Sequence, residues 1–271
     1  MHPFVRKLIR KARNTLGLYT APEGVLILMY HRVNDDLPIH DLIVRTKDFE
    51  QQMRFFYENP QIYQMIGLKE MEDNRPRVFN SRFPKTKVII TFDDGYRDNF
   101  TNAFPILRKF KFPATVFLTT GLIGTESKFK RYEMVNGRDM LSWDEVVKMT
   151  RHRITFGGHT VNHPHLPELG YDEQKKEIEE SRDAVNAHVS KDERLNTFCY
   201  PYGEYNEDTL KILRELGFQF ALTVKQGFNT PYTPLHELKR IEVRGHDTIK
   251  SFEYKVLEKF LNTEEASYVE Y

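Results

Sequence analysis

Asp93 and Asp94 stand side by side where an apolar run ends, in Val88-Ile89-Ile90-Thr91-Phe92-Asp93-Asp94-Gly95-Tyr96. Two adjacent carboxylates repel each other unless something positive holds them, and a divalent cation is the simplest candidate. Further along the chain comes Gly157-Gly158-His159-Thr160-Val161-Asn162-His163-Pro164-His165. His159 and His163 are four apart, a spacing that one helical turn converts into two imidazoles on one side. One carboxylate and two neutral imidazoles suit zinc and related ions and leave positions open for water or substrate. An H-x3-H pair alone is a weak signal. Its weight here comes from the Asp-Asp strand end and from the strand-like Ile154-Thr155-Phe156 just before it.

The elements that must position these residues alternate. Val25–Tyr30 and Val88–Phe92 are apolar and rich in β-branched residues, as buried parallel strands are. Ala103–Lys111 has a helical pattern and is followed by the strand Ala114–Leu118. Asp144–Met149 is helical, Tyr171–Val189 is a long amphipathic helix, and Thr209–Leu216 is a helix closed by Gly217. Phe218–Val224 and Lys239–Val243 read as the last strands. Strand–helix alternation implies mostly parallel pairing, and barrels of this kind carry their chemistry at the C-terminal strand ends. His31, Asp93, Asp94, His159 and Tyr202 all obey that rule. Asn59–Lys85 and Gly124–Asp139 are polar and read as insertions, the second basic enough either to favour an anionic substrate or simply to be a solvated loop.

The sequence resembles the polysaccharide deacetylases that share the NodB homology domain (carbohydrate esterase family 4). The resemblance is carried by Thr91-Phe92-Asp93-Asp94-Gly95-Tyr96 with His159-Thr160-Val161-Asn162-His163, and supported by Leu28-Met29-Tyr30-His31, Phe198-Cys199-Tyr200-Pro201-Tyr202-Gly203 and Leu238-Lys239-Arg240-Ile241. It covers about residues 24–255 and implies an α/β fold, an irregular (β/α) barrel of about seven parallel strands. It also implies a metal-dependent hydrolase that removes N-acetyl groups from an N-acetylated sugar or polysaccharide and releases acetate. In that scheme Asp93 is the general base, Asp94, His159 and His163 hold the metal, and the Tyr202 backbone N–H faces the oxyanion after the stiff Pro201. Tyr202, Pro201 and Trp143 are the implied substrate-groove residues, although Trp143 suits core packing equally well.

Two departures from the commonest family pattern matter. The late Leu-x-His motif that supplies the general acid in many relatives is missing. The early Tyr30-His31 instead resembles a circularly permuted subgroup, typified by poly-N-acetylglucosamine deacetylases, in which the acid ends the first strand. His31 is therefore the expected acid, with His246 the alternative. In place of an arginine expected to contact the base stands Cys199, and Arg240 is the cation expected to compensate. Zinc is the first expected ion, with Co2+, Ni2+ or Mn2+ as substitutes, because a His2-Asp donor set discriminates weakly. Two other readings keep the same residues: an O-acetyl carbohydrate esterase, and a non-catalytic glycan-binding relative in polysaccharide assembly.

At 271 residues with 39% apolar content, the chain is long enough for one large core. A net charge of +1 argues against a nucleic-acid partner. The single cysteine excludes an internal disulfide and fits a reducing compartment. No run is long and apolar enough to span a membrane. Residues 1–22 form a basic amphipathic helix by spacing, suited either to an anionic membrane surface or to packing on the barrel. The expected organisation is that helix, a deacetylase domain over 23–262 and a tail over 263–271. The expected location is cytoplasmic, free or peripheral on the inner membrane face.

Overall fold

The computed structural model describes residues 24–79, 85–126 and 139–256. The expected N-terminal helix, the C-terminal tail and most of the basic segment 124–139 lie outside the described residues. In chain order come β1 (Val25–Tyr30), β2 (Arg32–Val33), β3 (Ile43–Val44), α1 (Thr46–Tyr57), β4 (Tyr63–Met65), α2 (Leu68–Phe79) and β5 (Thr86–Phe92). A π-turn (Asn99–Ala103) leads into α3 (Phe104–Phe110) and β6 (Ala114–Leu118), followed by α4 (Trp143–Thr150) and β7 (Ile154–Gly158). Then follow α5 (Tyr171–Asn186), β8 (Thr197–Cys199), α6 (Glu207–Glu215), β9 (Phe220–Gln226), β10 (Leu238–Glu242) and α7 (Ile249–Val256).

Seven strands close a ring in the order β1, β5, β6, β7, β8, β9, β10 and back to β1, every pairing parallel. This is the expected α/β barrel. Closure follows from strands that are apolar on both faces and therefore need cover on both. Alternate residues of one strand enter different clusters: Val25 and Ile27 join Ile89, Phe117, Leu222 and Leu238, whereas Leu26, Leu28 and Tyr30 join Val88, Ile90, Phe92 and the helices. The first set fills the barrel and the second seals its outer layer. Counting up β5 in twos, Ile89, Thr91 and Asp93 share one side, which places the Asp93 carboxylate inside the C-terminal end of the barrel.

Over residues 59–79, the described part of the segment read as an insertion, the chain is not a loop, contrary to its polar composition. It contains β4, which pairs with the first half of β5 along the edge that β6 occupies beside the second half. It also contains α2, interrupted at Asn74 (φ −133°, ψ 32°). Ile66, Leu68, Met71 and Val78 of this segment join the barrel-interior cluster, while Lys69 pairs with Asp73 at the surface. High charge on one side hid an apolar side that is used. Other boundaries moved little: β6 and β1 match their expected spans, and β9 starts two residues late at Phe220. Among the described residues no helix is long and apolar enough to cross a membrane.

One acid is buried low in this arrangement. Glu72 of α2 accepts a hydrogen bond from Thr197 Oγ1 and another from the Asn196 backbone, yet its Oε2 has no hydrogen-bond partner. Burial raises its pKa, and these bonds only partly offset the effect. An acid whose folded pKa is raised binds its proton more tightly when folded. Its contribution therefore favours the fold below the unfolded value near ~4.5, and is lost as pH climbs through the raised value. Glu72→Gln is expected to raise stability at pH 7–8 by ~1 kcal/mol, about 2–4 °C in Tm, with the gain vanishing below pH ~4.5. Thermal melts of both proteins across pH 4–8 check this, and equal gains at every pH would contradict it.

Candidate active site

Asp93 leaves β5 pointing into the barrel and is buried. Its partner is Arg240 of β10, which donates from Nη1 to Oδ1 at 2.8 Å and from Nη2 to Oδ2 at 2.7 Å. Arg240 is itself oriented by Nε donating to the Thr223 carbonyl at 2.8 Å and Nη1 to Thr91 Oγ1 at 3.3 Å. The Cys199 thiol donates to Asp93 Oδ1 at 3.5 Å. Burial by itself pushes the Asp93 pKa up, but the guanidinium outweighs it and holds the carboxyl below its usual range. Thus the arginine missing from position 199 is replaced in space by one from a strand two places round the barrel. Burial keeps Cys199 a neutral thiol.

Asp94 cannot point inward by strand alternation, since its neighbour does. It adopts a left-handed conformation (φ 73°), which turns its carboxylate back over the rim. There Oδ1 lies 3.6 Å from His159 Nε2 and 3.4 Å from His163 Nε2. The two histidines do not meet through a helical turn. Residues 159–163 form an irregular loop after β7, in which Thr160 (φ 64°) and His163 (φ 58°) are both left-handed. For a β-branched threonine this costs ~1–2 kcal/mol, so other contacts must hold it there. Thr160 Oγ1 donates to the His159 carbonyl at 2.5 Å and accepts from His163 N at 2.9 Å. His159 Nδ1 contacts the Cys199 carbonyl at 2.8 Å; a carbonyl only accepts, so Nδ1 carries the proton and Nε2 is the nitrogen turned to Asp94.

This donor set fits a metal ion. Three ligands at ~2.0–2.2 Å from a tetrahedral ion stand ~3.3–3.6 Å apart, the spacing of Asp94 Oδ1 from both imidazoles. The electrostatics agree. Burial opposes charge on His159, but Cys199, Asp94 and Asp93 raise its pKa well above the ordinary value. Asp94, His159 and His163 each turn one donor atom to a common point, the arrangement in which a cation would meet all three.

The sequence profile of a family described as "Polysaccharide deacetylase" matches residues 80–221. The chain belongs to the polysaccharide deacetylase family. It is 30% identical over 223 residues to a Bacillus subtilis protein named "Putative polysaccharide deacetylase YxkH", covering 82% of this chain and 72% of that one. It is 27% identical over 236 residues to the poly-β-1,6-N-acetyl-D-glucosamine N-deacetylase of Staphylococcus epidermidis, covering 81% and 79%. Among solved structures, the deacetylase PplD of Streptococcus pyogenes superposes with a TM-score of 0.71 at 25% identity, covering 86% of this chain and 98% of that one. IcaB from Ammonifex degensii shares the fold with a TM-score of 0.69 at 24% identity, covering 86% and 96%.

In this polysaccharide deacetylase the remaining candidates separate cleanly. His31 follows β1 directly, and Asp93 N donates to the Tyr30 carbonyl at 2.9 Å, which brings the two strand ends level. A charge on the His31 imidazole is felt at Asp93, and Asn99 Nδ2 holds the His31 carbonyl at 2.9 Å. His246 is instead a surface residue, 65% exposed and 3.7 Å from Asp41. Pro201 is buried and starts a 3-10 turn in which Tyr202 is left-handed (φ 57°). Gly203 continues that turn, and a Cβ there would sit 2.5 Å from a Val224 methyl. The Tyr202 ring is 41% exposed, stacks on His165 at 4.0 Å and meets the His163 ring edge-on at 4.5 Å. His165 also contacts Glu204 Oε2 through Nδ1 at 2.7 Å. Trp143 opens α4, stacks on His188 at 3.9 Å and packs against the main core cluster, the contacts of a packing residue rather than of a groove wall.

Several residues that sequence reasoning passed over shape the site: Thr160, Asn99, and Glu177 of α5, which accepts from Val161 N and Asn162 N. Only the β-branched Thr160 between two glycines and a polar turn gave any hint. The Arg240–Asp93 pair gives a direct test of the energetics. Removing one partner of a buried ion pair strands the other, a cost of about 3–5 kcal/mol. Arg240→Met is expected to lose that much in urea unfolding at pH 7, and Arg240→Met/Asp93→Asn to recover part of it. A double variant as unstable as the sum of its singles would contradict this coupling.

Proposed function

We propose that the protein is a metal-dependent N-deacetylase of an N-acetylated glycan of the poly-β-1,6-N-acetylglucosamine class, releasing acetate and a free amine. The observation that carries this reading is the division of labour between neighbouring carboxylates: Asp94 faces two imidazoles, whereas Asp93, although within ligand reach of His159 and Cys199, has both oxygens held by the Arg240 guanidinium. The names of the staphylococcal relatives support the substrate class. Asp94, His159 and His163 would hold the ion, zinc first, with Co2+, Ni2+ or Mn2+ able to replace it. Bound there, a divalent ion supplies Lewis-acid polarisation of the acetyl carbonyl and lowers the pKa of a water from ~15.7 towards ~7.

The chain's own residues do the rest. Asp93, ionised and fixed by Arg240, accepts the proton of the attacking water. The Tyr202 N–H, presented by the stiff turn after Pro201, donates to the oxyanion as it forms. His31, at the end of the strand beside Asp93, delivers a proton to the departing amine nitrogen, without which the C–N bond does not break to a neutral leaving group. The exposed ring of Tyr202, braced by His165, offers an apolar face to a pyranose. Arg240 acts through Asp93 and touches no substrate.

Acetate release from N-acetylglucosamine oligomers, measured with metal content, tests the reading. Chelation is expected to abolish turnover and Zn2+ or Co2+ to restore it. Asp93→Asn and His31→Ala are each expected to retain bound metal and lose about 10²–10⁴ in kcat. Turnover of acetylxylan alone would make the protein an ester hydrolase. Bound metal without turnover of either substrate would make it a binding protein.

A further inference from the structure

Glu177 lies on α5, outside the barrel, and belongs to no motif that marks the family. Its carboxylate nevertheless reaches the loop that carries both histidines. Oε2 accepts from Val161 N and from Asn162 N, each at 2.9 Å, and Oε1 accepts from Asn162 Nδ2 at 2.6 Å. The two successive backbone N–H groups follow left-handed Thr160 and converge as a small anion-binding nest, here filled by the protein's own carboxylate. On the other side of the same loop, Thr120 N donates to the Thr160 carbonyl at 3.1 Å and Gly121 N to the Val161 carbonyl at 2.9 Å. Gly121 is tight against it, since a Cβ there would lie 2.7 Å from Val161 O. The loop is thus gripped between the turn after β6 and one side chain of α5.

We propose that Glu177 is a positioning residue for metal binding: its carboxylate clamps the Val161 and Asn162 amides and so holds His159 and His163 at the spacing that Asp94 requires. The inference rests on the metal triad of the preceding reading. The logic is geometric. Val161 and Asn162 are the residues between Thr160 and His163, and two of those four residues are left-handed. A non-glycine backbone does not stay in that region unless surrounding contacts over-determine it. Charge-assisted bonds to a carboxylate are about twice as strong as neutral ones, so Glu177 supplies more of that constraint than an amide would. Loss of such outer partners typically costs ~10–100-fold in metal affinity.

The test uses the full chain stripped of metal and titrated with Co2+, read by its visible d–d absorption, with Zn2+ competition for affinity. Glu177→Gln keeps the shape and a neutral acceptor, and is expected to bind ~3–10-fold more weakly than wild type. Glu177→Ala is expected to bind ~10–100-fold more weakly, with an altered Co2+ spectrum. Glu180→Ala, an exposed acid on the same helix, is expected to match wild type. Wild-type affinity and spectrum in a folded Glu177→Gln would overturn the proposal, whether or not Glu177→Ala folds. If wild type itself binds no metal, the reading of the triad fails instead, so the two failures are distinct.

Discussion

Two adjacent carboxylates at one strand end can do two different jobs only if each is given its own counter-charge. Arg240 achieves that separation. Its guanidinium reaches from β10 past β1 to both oxygens of Asp93, and this fixes Asp93 on the inner side of the barrel. Asp94, turned the other way by its left-handed backbone, is left to face His159 and His163. Without the ion pair, two anions would compete for the same positive centre. The catalytic reading and the metal reading both follow from that partition.

The rim is built from conformations that a free chain avoids. Asp94, Thr160, His163 and Tyr202 all have positive φ. Each sits where a regular strand would have carried the next side chain away from the centre. The strain is local, but the contacts that sustain it are not. The Thr160 hydroxyl, the Cys199 carbonyl, the turn after β6 and Glu177 of α5 all brace one five-residue loop. A rigid parallel barrel allows this because its strand ends are fixed relative to each other before the loops are added.

Buried charge is concentrated where it is useful, and is costly elsewhere. Asp98 pairs with Arg32 at 2.7 Å and accepts from Asn34, yet burial still raises its pKa. With Asn99 on the His31 carbonyl and Asn102 on the Val33 carbonyl, this network ties residues 31–34 to the segment after the catalytic strand. Glu72 has fewer partners and no such link to the rim. The contrast is between a buried ion pair that orders a functional segment and a buried acid that only weakens the floor.

An apolar β-branched run states its own burial, so the strands were legible in the chain, and so was the grouping of Asp94, His159 and His163, which the fold brings together. The sequence also named His31, Arg240 and Tyr202 through their places in motifs. It misread residues 59–79, whose charges mask a one-sided apolar pattern broken at Asn74, and it wrongly expected a helical turn between the histidines. That Arg240 reaches both oxygens of Asp93, that Glu177 grips the histidine loop and that Trp143 packs on His188 became visible in the folded barrel alone. Those contacts join residues far apart in the chain. Ring closure sets their distances, and no local propensity encodes it.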